Sequence, residues 1–166
     1  MSNTSDWSDI GTPDWVGQVR FNDLDAMGMV NYSVFLNFLD EALLNWWQGM
    51  PLPFQPVPSD LGLITAGMSC AWLKPLCQRS NVEVYLGVSE VRKSSFIILS
   101  VVRATGEQEP CFVAEVVQVY WRSGKPVTIS PELRDAILAR LWKADYVSRC
   151  HFALRRDSGT TIPIHD

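Results

Sequence analysis

V-R-F-N-D-L-D-A-M-G-M-V-N-Y-S-V-F-L-N-F-L-D-E-A-L-L-N-W-W, residues 19–47, sets three elements one after another. Val19-Arg20-Phe21 reads as the end of a strand. Asn22 to Asn31 is a polar turn containing Gly28 and two aspartates, Asp23 and Asp25. Val34 to Trp47 is a strongly apolar helix. Phe35, Phe38, Leu39, Ala42, Leu43 and Trp46 recur at i, i+3, i+4 and i+7, the spacing of one helical face. Leu36 and Trp47 widen that face and leave a polar stripe of Asn37, Glu41, Asn45 and Gln48. A helix apolar on most sides is normally wrapped by the rest of its domain.

The helix starts beside a carboxylate. Asn31 or Ser33 can supply the N-cap, and the free N–H groups of the first turn then point back at the turn. That end carries a partial positive charge. Asp25 or Asp23 therefore stands close to a set of unpaired donors. Acyl transfer uses this pairing: a carboxylate attacks or activates water, and backbone N–H groups hold the oxygen that becomes negative.

On either side of this stretch the pattern is mostly strand. Pro13 to Phe21 is a short strand with Trp15, Gly17 and Val19 facing one way. Gly49-Met50-Pro51 stops the helix. The following P-L-P-F-Q-P-V-P is a loop, either a plain connector or, through Leu52 and Phe54, the wall of an acyl pocket. Leu61 to Leu73 is a long apolar strand whose Gly62 and Gly67 suggest bulges. Asn81 to Val91 alternates, with Val82, Val84, Leu86 and Val88 on one face. Lys93-Ser94 fits a hairpin turn, and Phe96 to Arg103 and Cys111 to Arg122 return as further strands. Ser130 caps a second helix with Pro131 at its first position, running to about Trp142. One helix against an antiparallel meander is the architecture that periodicity supports. Residues 1–12 read as a mobile arm, 13–142 as the domain, and 143–166 as an ill-ordered polar tail.

Composition narrows the function. The 166 residues are 47% hydrophobic and 19% charged, which excludes a disordered chain. A net charge of −4 does not favour nucleic acid or anionic membranes. There is no apolar run long enough for a membrane span and no signal-peptide pattern at the start. The expected compartment is the cytoplasm, and the four cysteines, which lack C-x-x-C spacing, read there as reduced thiols. His151 and His165 are the only histidines, both near the end of the chain. That excludes a Ser-His-Asp or Cys-His arrangement in the turn, and no His/Cys cluster has metal spacing.

R-F-N-D-L-D-A-M-G-M-V-N-Y followed by a helix with D-E-A resembles the signature of the hot-dog-fold acyl-CoA thioesterases, in the 4-hydroxybenzoyl-CoA thioesterase-like branch. A-W-L-K-P-L at Ala71 to Leu76 is similar to that group's Y-L-R-P-L. V-R-K-S-S-F at Val91 to Phe96 is similar to its V-x-R-S-S-F turn. Gly124 to Val127 and Ile129 to Leu133 are similar to its closing segment. The resemblance implies an α+β hot-dog fold, an antiparallel sheet wrapped around a long central helix, with a C-terminal helix. It also implies homodimers joined edge to edge, often paired into homotetramers, with the active site at the dimer interface.

Residue by residue, the resemblance makes Asp25 the catalytic carboxylate, either nucleophile or general base; the bland alternative is a helix-preceding Asx turn. Tyr32 aligns with the position whose backbone N–H polarises the thioester carbonyl, and Gly28 allows a tight turn with positive φ. Asn31 either orients Asp25 or water, or caps the helix. Asp23 is expected to stabilise the turn, and Glu41 to have a structural or interface role. Lys74, Arg92 and Lys93 lie at strand ends and turns, near which the family's basic residues meet coenzyme A phosphates, the alternative being plain solvated surface charges; Ser94 and Ser95 either donate to the same group or simply make the turn. Trp46, Trp47, Trp72 and Trp121 are read as core packing rather than as an aromatic acyl pocket. One departure stands out: many relatives carry a histidine in this turn where the chain has Met29. The implied function is hydrolysis of an acyl-CoA to acid and CoA, with no metal or redox cofactor and coenzyme A as part of the substrate. The alternatives are a non-catalytic thioester-binding protein, an acyl-carrier-protein thioesterase and, third, a dehydratase or hydratase.

Overall fold

The computed structural model describes residues 7, 9–51, 61–77 and 80–157. Strands β1 (Trp15–Gln18), β2 (Leu61–Trp72), β3 (Asn81–Val91), β4 (Ser95–Ala104), β5 (Phe112–Arg122) and β6 (Lys125–Pro126) form one antiparallel sheet. Its order is β1-β3-β4-β5-β2, with β6 pairing the end of β5. The helices are α1 (Tyr32–Gln48), α2 (Pro131–Leu138) and α3 (Ala144–Asp157). The hot-dog architecture expected from the sequence is present. The proline-rich loop after Pro51 lies outside the described residues.

α1 forms because its apolar side is continuous. Val34, Phe35, Phe38, Leu39, Ala42, Leu43 and Trp46 are buried against Val82, Val84, Leu86, Val88, Phe96, Ile98 and Phe112 of the sheet's inner face. Each of the valine, leucine and phenylalanine side chains among these contributes about 1.5–3 kcal/mol by leaving water. The helix is not wrapped on all sides, however. Asn37, Glu41, Leu44, Asn45 and Gln48 form an exposed stripe, because one sheet covers only one side of a helix. Glu41 is therefore a solvated carboxylate. Asn45 donates to the Asp14 carbonyl at 2.7 Å and ties this stripe to the start of β1.

β2 carries the expected irregularity: Ala66 has no partner between the Thr65–Gln118 and Gly67–Val117 pairs. The β3–β4 hairpin closes where the Arg92 N–H donates to the Ser95 carbonyl at 2.7 Å.

The two ends of the chain correct the sequence reading. Residues 144–157 form α3 rather than a tail. α3 lies over β5, β2 and β4 on the sheet's outer face. Tyr146 and Cys150 join Tyr85, Leu99, Val101 and Val113 in a second core. Trp7 and Ile10 of the supposed mobile arm belong to that core as well, and Trp7 is only 4% exposed. This second layer explains why Tyr85 and Gly87, on the face of β3 opposite Val82, Val84, Leu86 and Val88, are buried as well. α2 also ends earlier than expected. The Val88 N–H donates to the Arg140 carbonyl and the Trp142 N–H to the Val88 carbonyl, each at 2.9 Å, which draws the chain out of the helix and onto β3.

Those bonds help close one edge of the sheet. β1 covers Asn81 to Val84 of β3. At Leu86, the N–H donates to Asp14 Oδ2 at 2.7 Å and the carbonyl accepts from Arg140 Nη2 at 3.1 Å. Arg140 and Asp14 are themselves ion-paired. The opposite edge, β2, has no strand on its outer side among the described residues. Ile64, Met68 and Trp72 are exposed along it.

Candidate active site

The turn before α1 is built from its own polar groups. The Leu24–Val30 bridge closes it, and Gly28 takes the positive φ of 77° that the tight reversal needs. The Asp25 N–H donates to the Met29 carbonyl at 2.7 Å, and the Gly28 N–H to the Asp25 carbonyl at 3.0 Å. Asp25 Oδ1 accepts from the Met27 N–H at 2.8 Å and from the Met29 N–H at 3.1 Å. Asp25 Oδ2 has no partner among the described residues. The side chain is half-buried, one oxygen fixed by the turn and the other open. The Asx turn and an available carboxylate oxygen thus coexist in one residue.

Asp23 has the structural part. It is 6% exposed, and its Oδ2 accepts from the Arg20 N–H at 2.7 Å. Its carbonyl accepts from the Asn31 N–H at 2.9 Å, which aims the chain into α1. Asn31 is the N-cap: its Oδ1 accepts from Ser33 N–H at 3.1 Å and from Ser33 Oγ at 3.0 Å. Those contacts spend that oxygen on the helix rather than on Asp25. The Val34 N–H donates to the Asn31 carbonyl at 3.0 Å. The Tyr32 N–H has no acceptor among the described residues. It lies at the end where the helix dipole favours negative charge. Tyr32 itself is 67% exposed.

The turn docks on the end of the sheet where β2 finishes and β5 begins. The Val30 N–H donates to the Leu76 carbonyl at 2.8 Å, and Met29 bridges Cys77. Trp72, paired with Phe112, donates from Nε1 to the Tyr32 carbonyl at 3.3 Å.

The expected coenzyme A residues do not come together within one protomer. Lys74 sits at the Asp25 end, ion-paired with Glu107. Arg92, Lys93, Ser94 and Ser95 are at the other end, since Ser95 pairs with Val119 while Trp72 pairs with Phe112. Seven steps along β5, from Phe112 to Val119, separate those pairs, about 24 Å at strand rise. Arg92 is engaged in a two-point pair with Glu90, at 2.7 and 3.2 Å, which raises the Arg92 pKa and lowers that of Glu90. Lys93 forms no ion pair among the described residues. With Ser94, Pro126, Val127 and Thr128 it lines an open pocket of about 450 Å³. Thr128 was not singled out from sequence; the G-K-P-V segment just before it was the available signal.

The sequence pattern of the thioesterase-like superfamily matches residues 19–137, which span the turn, α1, strands β2 to β6 and all but the last residue of α2. The chain belongs to the thioesterase-like superfamily. Thioester hydrolysis is its reaction class. Among solved structures, the PA5185 protein of Pseudomonas aeruginosa PAO1 superposes with a TM-score of 0.70 at 25% identity, over 78% of this chain and 91% of its own. A thioesterase from Thermus thermophilus, solved with coenzyme A and zinc, gives 0.63 at 25% identity, over 75% and 91%. A 1,4-dihydroxy-2-naphthoyl-CoA thioesterase from Synechocystis gives 0.67 at 20% identity over 75% and 93%, a likeness of fold alone. The superfamily match ends at residue 137, before α3. Among the described residues no three His, Cys, Asp or Glu side chains gather as a metal site, and no helix is long and apolar enough to cross a membrane.

Proposed function

We propose that this superfamily member hydrolyses acyl-CoA thioesters at the turn that opens α1. One observation carries the reading: among the described residues, a carboxylate oxygen of Asp25 is open beside a helix N-terminus whose Tyr32 N–H is unpaired. The thioester carbonyl oxygen sits on the Tyr32 N–H and gathers negative charge as the carbonyl carbon is attacked. Asp25 either attacks that carbon, to give a mixed anhydride that water then opens, or takes the proton of an attacking water. In both routes the C–S bond breaks and the CoA thiolate leaves and is protonated. No histidine takes part. The proposed setting is the cytoplasm, where cysteines are kept as thiols.

The site is completed by a second copy. β2 is a twelve-residue open edge bearing exposed apolar side chains, while the β3 edge is capped by β1, Asp14 and Arg140. An uncovered edge of that length pairs with another strand. Two β2 strands pairing antiparallel about a two-fold axis set the Trp72 end of one beside the Leu61 end of the other. The partner's Lys93 pocket then approaches Asp25, which spans the 24 Å gap within one protomer. Lys93, Ser94 and Thr128 are suited to coenzyme A phosphates. α3 and Trp7 occupy the outer face, so we propose a homodimer rather than a tetramer built by stacking sheets.

The test is thiol release from a panel of aryl, short-chain and long-chain acyl-CoAs and from carrier-protein thioesters. Release from at least one CoA thioester is expected. Release from carrier-protein thioesters alone overturns the coenzyme A assignment. Tight binding with no release from any thioester overturns hydrolysis in favour of a binding protein.

A further inference from the structure

The donor that grips the thioester oxygen belongs to Tyr32, an exposed residue in the first turn of its helix. First turns fray readily, because their N–H groups lack intrahelical partners. The Asn31 cap holds Ser33 and Val34, not Tyr32. What restrains Tyr32 comes from the sheet. Trp72 Nε1 donates to the Tyr32 carbonyl at 3.3 Å, and the two rings meet edge to face at 6.1 Å and 83°. Trp72 in turn packs edge-on against Phe112 at 5.4 Å, and Phe112 stacks on Phe35, one turn into α1, at 5.4 Å and 25°. Offset and edge-to-face aromatic contacts of this kind are favourable beyond the area they bury. The first turn of α1 is thereby held at two points, through Tyr32 and through Phe35, by rings that stand on β2 and β5.

We infer that Trp72 is a positioning residue for hydrolysis: its indole N–H and ring hold the Tyr32 peptide so that the free N–H faces the thioester oxygen. The inference rests on the proposed hydrolase reading and adds a residue that acts through Tyr32. Trp72 touches the carbonyl on one side of the Tyr32 Cα, and the oxyanion donor is the N–H on the other. Fixing the first limits rotation of the second. Trp72 also stands on β2, the strand whose other side is the open edge. Ordering of the oxyanion donor is therefore tied to the strand on which the second copy is proposed to dock.

The test compares wild type with Trp72→Phe, which keeps an aromatic ring and removes the N–H. Two readouts are taken: steady-state hydrolysis of the best acyl-CoA, and amide hydrogen exchange of the Val30 to Asn37 segment. A transition-state interaction lost alone lowers kcat and leaves KM in place. Trp72→Phe is expected to lower kcat about three- to tenfold, the rate equivalent of one ordinary hydrogen bond. KM is expected to stay within about twofold, and exchange at Ser33 to Leu36 to quicken while the C-terminal half of α1 is unchanged. An unaltered kcat, or a loss seen entirely in KM, overturns the inference even where Asp25→Asn abolishes turnover. If wild type hydrolyses nothing, the hydrolase reading falls by itself and the exchange measurement decides the positioning claim: unchanged protection at Ser33 to Leu36 overturns it, and local loosening supports it.

Discussion

Gly87→Ala probes how the C-terminal segment is seated on the sheet. Gly87 lies in β3 with ordinary backbone, so alanine meets no conformational penalty there. It meets Trp142 instead: a Cβ at Gly87 would stand 2.1–2.2 Å from three atoms of the indole ring. No real Cβ tolerates that contact, and the ring has to leave its seat. Trp142 packs on the second core, its ring tilted against Tyr146 at 6.1 Å, and its backbone N–H donates to the Val88 carbonyl. Overpacking of this kind costs about 1–3 kcal/mol. For a chain of this size that lowers Tm by about 2–12 °C. Thermal unfolding by circular dichroism measures it, in wild-type and Trp142→Ala backgrounds. In the second background the clash is gone, and Gly87→Ala is expected to be neutral or stabilising by up to about 1 kcal/mol, because alanine narrows the unfolded ensemble. An unchanged Tm with Trp142 present, or the same loss in both backgrounds, refutes the seat.

Three further outcomes follow from the same geometry. Asn31→Ala removes the N-cap of α1 and is expected to cost about 1 kcal/mol, read as a Tm lower by about 2–4 °C; no change in Tm shows that the cap is idle. Burial pushes the Glu83 carboxyl up, but bonds from Tyr85 OH at 2.6 Å and Arg103 Nε at 3.1 Å and the Arg103 charge outweigh it, so its pKa lies below the ordinary 4.5. Its stabilisation is therefore present above pH 4.5 and lost as pH falls through the lowered folded value. Glu83→Gln should destabilise by about 1–2 kcal/mol at pH 7 and match wild type in strong acid, and a stability gap independent of pH contradicts this. Met68→Lys places a charge on the open edge of β2 and should shift a dimer toward the 18.7 kDa monomer in light scattering, with activity falling alongside; a monomeric wild type contradicts the paired-edge site.

Much of the fold was legible because its signals are local. The spacing of Phe35, Phe38, Leu39, Ala42, Leu43 and Trp46 named the buried face of α1 residue by residue. Ser130-Pro131 marked the start of α2, and Gly67 marked the bulge in β2. α3 was missed because Arg149, Arg155, Arg156 and Asp157 make the segment polar overall, although Tyr146, Cys150 and Leu154 recur every four residues. Trp7 was missed for a related reason: a lone aromatic in a polar stretch has no period, and its partner Tyr146 stands far along the chain. The turn motif showed where Asp25 and Tyr32 would sit. It did not show that Lys74 and Lys93 would lie at opposite ends of the sheet. Strand register decides that distance, and register is a property of pairs of strands.

The proposed turnover rests on the carboxylate of Asp25. Asp25→Asn keeps an acceptor oxygen for the Met27 and Met29 N–H groups, so the turn survives while the charged oxygen is lost. Steady-state thiol release from the best acyl-CoA is predicted to fall about 10²–10⁴-fold in kcat, with KM and Tm close to wild type. A kcat within tenfold of wild type contradicts a catalytic carboxylate at this position.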